Sequence, residues 1–252
     1  ALMSNLLKNQ ELKSALLEET PWVLEARDES TQKKNIALLF NLTRLAAEQE
    51  NTLQKLAGLQ NGNGSFSWFA NGPENPWITQ HILTGLGRLQ KLQSPDSLHP
   101  AIKTITDKGL PYLNGELVKA YQRANRDKKS AAANQLTPLI IHHLYMRSLY
   151  PNAPSEAAVH KAVQYFMKQE KKYWNSQSLY MKAMIALTLH PSDAKTSRSI
   201  LRSLKENAIY HKELGMYWKE LQRGGYYWHE APVETMSMVL TALFSNLVSA
   251  AE

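Results

Sequence analysis

Apolar residues return along most of this chain with the period of an α-helix. Ile36, Leu39, Phe40, Leu42 and Leu45 make one wide apolar face between Asp28 and Glu48. Ile78, Ile82, Leu86 and Leu89 make a stripe from Pro76 to Leu92, and Met236, Leu240, Leu243, Phe244 and Leu247 make another in a segment that opens at Pro232. Apolar positions three and four apart mark a helix with one buried side. Leu139–Tyr150 and Leu179–Leu189 are apolar nearly all round, whereas Ser192–Asn207 carries a single stripe. A helix apolar on every side must be enclosed by others. The alternation therefore predicts buried inner helices backed by half-exposed outer ones, about ten helices in all.

Start signals agree with this pattern. Asn75-Pro76, Thr137-Pro138, Ser94-Pro95-Asp96 and Pro191-Ser192-Asp193 each place a polar side chain and a proline at a predicted helix start. The polar oxygen can accept a free N–H of the first turn, and proline there lacks only an N–H that would be unpaired anyway. Three segments repeat one unit, an aromatic turn followed by an apolar helix. They are Gly64–Phe69 before Pro76-Trp77, Gly225–Glu230 before Pro232-Val233 and, more faintly, Lys172–Asn175 before Ser178-Leu179. Recurrence of one supersecondary unit points to a repeat architecture of helical hairpins. If the hairpins close into a ring, the aromatic loops meet on one rim.

Two stretches break the helical period. Gln60–Asn75 is a long loop containing Gly62, Gly64, Gly72 and Pro73. Ile209–Ala231 alternates weakly at Met216-Tyr217-Trp218 and Tyr226-Tyr227-Trp228, with Arg223-Gly224-Gly225 between, and predicts a small β-hairpin insertion near residues 214–229. No linker or shift of composition divides the chain, so residues 1–252 read as one domain.

Composition narrows the classes. With 252 residues, 43% of them hydrophobic and 20% charged, the chain can bury a sizeable core. No apolar run approaches the roughly 18 residues of a membrane span, so no direct insertion is expected. The absence of cysteine excludes disulfides, thiolate metal sites and a cysteine nucleophile within this chain. The net charge is +7. Its densest clusters, Arg123–Lys129 and Lys168–Lys172, contain Asp127 and Glu170 and sit at predicted helix ends, where cations are favoured. They read as solvated ends, and no nucleic-acid partner is expected.

Candidate site residues lie on the loops. Phe66, Trp68, Phe69, Trp77, Tyr227 and Trp228 either form an aromatic platform for a sugar or peptide or plug the ends of the ring. As plugs, Trp68 and Trp228 would be buried, and truncating either would cost about 3–5 kcal/mol. Glu230 and Glu234 stand one turn apart at the start of the last helix. Paired carboxylates serve glycan hydrolysis, with Glu74 as a further candidate, but a negative charge at a helix N-terminus is a simpler account. His81, His142, His143 and His229 show no metal-ligand spacing: His142 and His143 are adjacent and point about 100° apart on a helix. Ser65, Ser67 and Thr79 lack a nucleophile motif, and Gly62-x-Gly64 is too short for a dinucleotide loop. No catalytic, cofactor or metal residue is assigned, and the chain is expected not to be an enzyme.

Leu12–Val23 (LKSALLEETPWV), Leu59–Phe69 (LQNGNGSFSWF) and Tyr227–Thr235 (YWHEAPVET) resemble, in order and spacing, stretches of the bacterial alpha-2-macroglobulin family. The resemblance runs from about Asn9 to Leu247 and implies the thioester, or complement-like, domain, an all-α fold of the α/α toroid type. Its best-known members are protease traps, in which a cysteine–glutamine thioester from a Cys-x-Glu-Gln turn captures the attacker. That turn lies upstream of the stretch matching Leu12–Val23, so this chain is expected to lack the first helices of a complete toroid and to be part of a larger multidomain protein. With no cysteine, no thioester residue carries over. The resemblance implies a scaffold within an endopeptidase inhibitor of the periplasm or cell envelope. Its partners would be neighbouring domains of the same polypeptide and target proteases, met through Phe66, Trp68, Phe69, Trp77, Tyr227, Trp228, Glu230 and Glu234. A glycan-active toroid enzyme using the loop carboxylates is the alternative.

Overall fold

The structure, a computed structural model, describes residues 42–92, 99–127, 133–212, 215–223 and 231–248. The chain divides into two compact units, Ala1–Leu59 and Gln60–Glu252. In the first, helix α1 (Leu42–Gly58) ends where the Leu59 N–H bonds back to the carbonyls of Lys55 and Leu56. The apolar face expected between Asp28 and Glu48 meets α1 only in its second half, and its earlier residues lie outside the described ones.

The second unit contains α2 (Pro76–Leu92), α3 (Pro100–Ala124), α4 (Pro138–Ser148), α5 (Ala157–Tyr173), α6 (Leu179–Leu189), α7 (Ala194–Glu206) and α8 (Pro232–Val248). Helices α2, α4, α6 and α8 pack side by side in that order. Behind them α3 packs on α2 and α5, and α7 packs on α6. The order follows from the side chains. In α4 every residue from Ile140 to Met146 is buried, and α6 is buried nearly throughout. By contrast α7 buries one stripe, Ser197, Ile200, Leu201 and Leu204. The fold is all-α, and its inner and outer helices alternate as in an α/α toroid.

Most helix starts follow the local signals. The Thr137 side chain accepts from the Ile140 N–H at 3.3 Å, and Ser178 accepts from Met181 at 3.4 Å. Asp193 caps α7, accepting from the Thr196 N–H at 3.1 Å and its hydroxyl at 2.8 Å, and pairs with Lys171 at 3.0 Å. These bonds, the Thr196 N–H first, pull its pKa down to about 2. Helix α3 starts at Pro100 behind a His99 cap. The Ser94-Pro95-Asp96 signal lies outside the described residues.

The β-hairpin is present but sits earlier than expected. Strand β1 (Ile209–His211) pairs antiparallel with β2 (Gly215–Tyr217), joining Ile209 to Tyr217. The segment expected as the first strand is therefore the second. Trp218 ends it, because its indole is fully buried and donates to the Leu204 carbonyl at 2.8 Å. The chain then turns into a short 3-10 helix, Lys219–Arg223. No helix among the described residues is long and apolar enough to cross a membrane.

Candidate functional site

The loop from Gln60 to Asn75 is built as a rigid platform before α2. Gly64 turns at φ 88°, a conformation that favours glycine, and a Cβ there would lie 2.1 Å from the Lys108 carbonyl oxygen of α3. Close approach to α3 thus demands glycine twice over. The Gln60 side chain bonds the loop to α3 by donating to the Ile105 carbonyl at 3.0 Å. Asn63 accepts from the Ser65 N–H at 3.1 Å and hydroxyl at 2.7 Å, and its amide donates to Glu74. Asn61 donates to the hydroxyls of Ser65 at 2.9 Å and Ser67 at 3.1 Å. Ser67 donates to the Gly72 carbonyl at 2.9 Å.

The platform is stitched to α2 by Thr79, whose hydroxyl accepts from the Phe66 N–H at 2.8 Å and donates to the Asn75 carbonyl at 2.8 Å. Asn75 caps α2, accepting from the Ile78 N–H at 3.0 Å. Sequence reasoning gave no role to Asn61 or Asn63. Their signal is the density of Asn, Gly and Ser, residues whose side chains bond their own turn.

The expected aromatic cluster separates into three environments. Phe66 is a plug, 2% exposed. Trp77 is half-buried, its ring 4.9 Å from that of His142. Trp68 and Phe69 are not plugs: they are 63% and 67% exposed. The loop ladder puts Phe66 beneath the platform and turns the next two aromatics outward. The stability loss expected for Trp68 therefore has no buried contact behind it. Tyr227, Trp228 and Glu230 lie outside the described residues. Glu234 is exposed in the first turn of α8, and Glu74 is exposed on the loop.

The histidines divide similarly. The Thr84 hydroxyl donates its one proton to the Gln80 carbonyl at 2.8 Å. The His142 Nε2 lies 3.0 Å from the same oxygen. His143 is buried, which pulls its pKa down to about 3, with the Arg147 charge adding to the effect. Among the described residues no three His, Asp or Glu side chains are placed to share a metal ion.

Glu170 corrects the reading of the Lys168–Lys172 run as a solvated end. It is 0% exposed, and neither carboxylate oxygen has a hydrogen-bond partner among the described residues. Burial holds its pKa well above 4.5. The cause is helical periodicity: Val159, Ala162, Phe166, Gln169 and Glu170 share the inward side of α5.

What the arrangement offers is a stiff loop displaying two adjacent aromatics and one carboxylate, a surface suited to contact. A family model described as the A-macroglobulin TED domain matches residues 28–242. No curated protein matches the chain.

Proposed function

The chain belongs to the A-macroglobulin TED domain family, and on that basis we propose that it is a non-enzymatic scaffold domain of a bacterial, cell-envelope protease trap. The observation that carries this reading is the match over residues 28–242 in a chain with no cysteine. A thioester needs a cysteine sulfur, so residues 1–252 supply none. The domain's part is to hold the shape of the parent polypeptide while a protease is enclosed. The exposed Trp68 and Phe69 support a role as a docking knuckle against a neighbouring domain. Paired aromatics on a loop fixed by its own hydrogen bonds lose little side-chain freedom on contact.

The test uses the parent protein and an active protease. A trapped protease is expected to keep cleaving a small chromogenic peptide while losing activity on a large protein substrate. Trp68→Ala with Phe69→Ala is expected to weaken this protection without lowering the melting temperature. Equal inhibition on small and large substrates, or none on either, would refute the trap. Protection unchanged by the double variant would remove the docking role of the loop.

A further inference from the structure

Away from the aromatic loop, the outward face of α7 carries a row of cations. Lys195, Arg198, Arg202 and Lys205 are all exposed. At 100° per residue they fall within an arc of about 80°, and at 1.5 Å per residue they extend over about 15 Å. The buried stripe of Ser197, Ile200, Leu201 and Leu204 lies on the other side of the helix, which fixes the direction of the row. The only acid in α7 is Glu206, its last residue.

The fold does not neutralise this row. None of the four cations makes an ion pair among the described residues. Residues three and four apart on a helix are neighbours, so these like charges repel one another. Positive charge continues at the start of α7, where Asp193 pairs with Lys171 at 3.0 Å and brings the end of α5, with the exposed Lys172, beside it. A row of unpaired cations is stabilised by a partner of opposite charge.

The far end of the row narrows the chemistry of that partner. Strand β1 follows α7 and is exposed along its whole length, Ile209 at 39% and Tyr210 at 70%. Successive strand residues point to opposite faces, so neither face of β1 is covered. The hairpin is nevertheless fixed to α7, because the buried Trp218 after β2 donates to the Leu204 carbonyl in the last turn of that helix. His211 and Lys212 are exposed beside Tyr210. An isoleucine and a tyrosine held out among cations match the boundary between lipid headgroups and acyl chains, which accommodates both the tyrosine ring and its hydroxyl. A nucleic acid or an acidic polypeptide would use the cations and leave Ile209 in water. We propose that the outward face of α7 and strand β1 dock the domain on an anionic phospholipid bilayer. Lys195, Arg198, Arg202 and Lys205 meet the lipid phosphates, and Ile209 and Tyr210 enter the headgroup boundary. Such docking is peripheral, needs no membrane-spanning helix, and holds independently of the protease-trap reading.

The experiment is co-sedimentation of the 252-residue chain with vesicles of phosphatidylcholine alone or with about 30% phosphatidylglycerol. Binding to the anionic vesicles is expected to be at least about tenfold tighter and to weaken as salt rises. A cation near an anionic surface contributes roughly fivefold in partition, so Arg198→Gln with Arg202→Gln should weaken binding about 25-fold. Arg123→Gln with Arg126→Gln removes the same charge from exposed positions on and just beyond α3 and should weaken it less than about threefold. Tyr210→Ser leaves the charge unchanged and should weaken binding about tenfold. All five positions are exposed, so the melting temperature should stay at the parent value. Equal binding to both vesicles would overturn the proposal, as would equal losses in the two arginine pairs or full affinity in Tyr210→Ser. Tighter binding to polyglutamate or to a DNA duplex than to the anionic vesicles would assign the face to another partner and also overturn it.

Discussion

Glu170 makes stability depend on pH in a way that one substitution should erase. Its carboxyl group is 0% exposed, neither oxygen has a partner among the described residues, and burial holds its pKa well above 4.5. The folded protein therefore keeps this proton at pH values where the unfolded chain has lost it. A raised acid pKa contributes stability that is intact below pH 4.5 and is lost as pH rises toward the folded value. While Glu170 stays protonated, the loss is about 1.4 kcal/mol per pH unit. His143 acts in the opposite sense. Its pKa falls from 6.5 to about 3, so its contribution is intact above pH 6.5 and is lost as pH falls. Above pH 4.5, while Glu170 keeps its proton, the two slopes oppose each other up to pH 6.5. Above pH 6.5 the His143 slope is gone. Urea unfolding of the parent chain and of Glu170→Gln, at steps from about pH 5 to about pH 8, isolates the effect. The other titrations are common to both proteins and drop out of the difference. The variant is expected to gain on the parent as pH rises above 4.5, at about 1.4 kcal/mol per unit while the folded protein keeps the Glu170 proton and less once it is lost. Identical pH dependence in the two proteins would mean that Glu170 ionises normally in the folded state, and the argument from its burial would fail.

The remaining predictions concern the loop and the core. Gly64→Ala should destabilise by at least about 2 kcal/mol, since a left-handed φ and a clash with the Lys108 carbonyl act together; a melting temperature within error of the parent would contradict the loop geometry. Phe66→Ala should cost about 3–5 kcal/mol and Trp68→Ala less than about 0.5, a contrast between neighbours two apart that chemical denaturation reads directly. Trp218→Phe should cost about 1–3 kcal/mol by leaving the Leu204 carbonyl without its indole donor. Asp193→Asn retains a cap but removes the charge beside Lys171. The parent's stability should fall as pH drops from 3.8 toward about 2, and the variant should not show that fall.

The sequence by itself determined which segments are helices and where several begin. Asn75-Pro76 and Thr137-Pro138 act through hydrogen bonds spanning three or four residues, so the information is complete within the window that is read. The same holds for the enclosed character of α4 and α6, because a helix apolar on every side has no stable exposed orientation. Tertiary structure decided what each exceptional residue does. Phe66 and Trp68 are equally apolar and lie in one loop. Their fates diverge because Thr79 and the α3 backbone pin one end of it. Glu170 stands among lysines, and only the packing of α5 turns it inward. Asn114 and Arg147 are 33 residues apart, and their hydrogen bond exists only when α3 and α4 meet. Local propensity is set by short hydrogen-bonded rings, whereas burial is set by surfaces that the chain brings together from far apart.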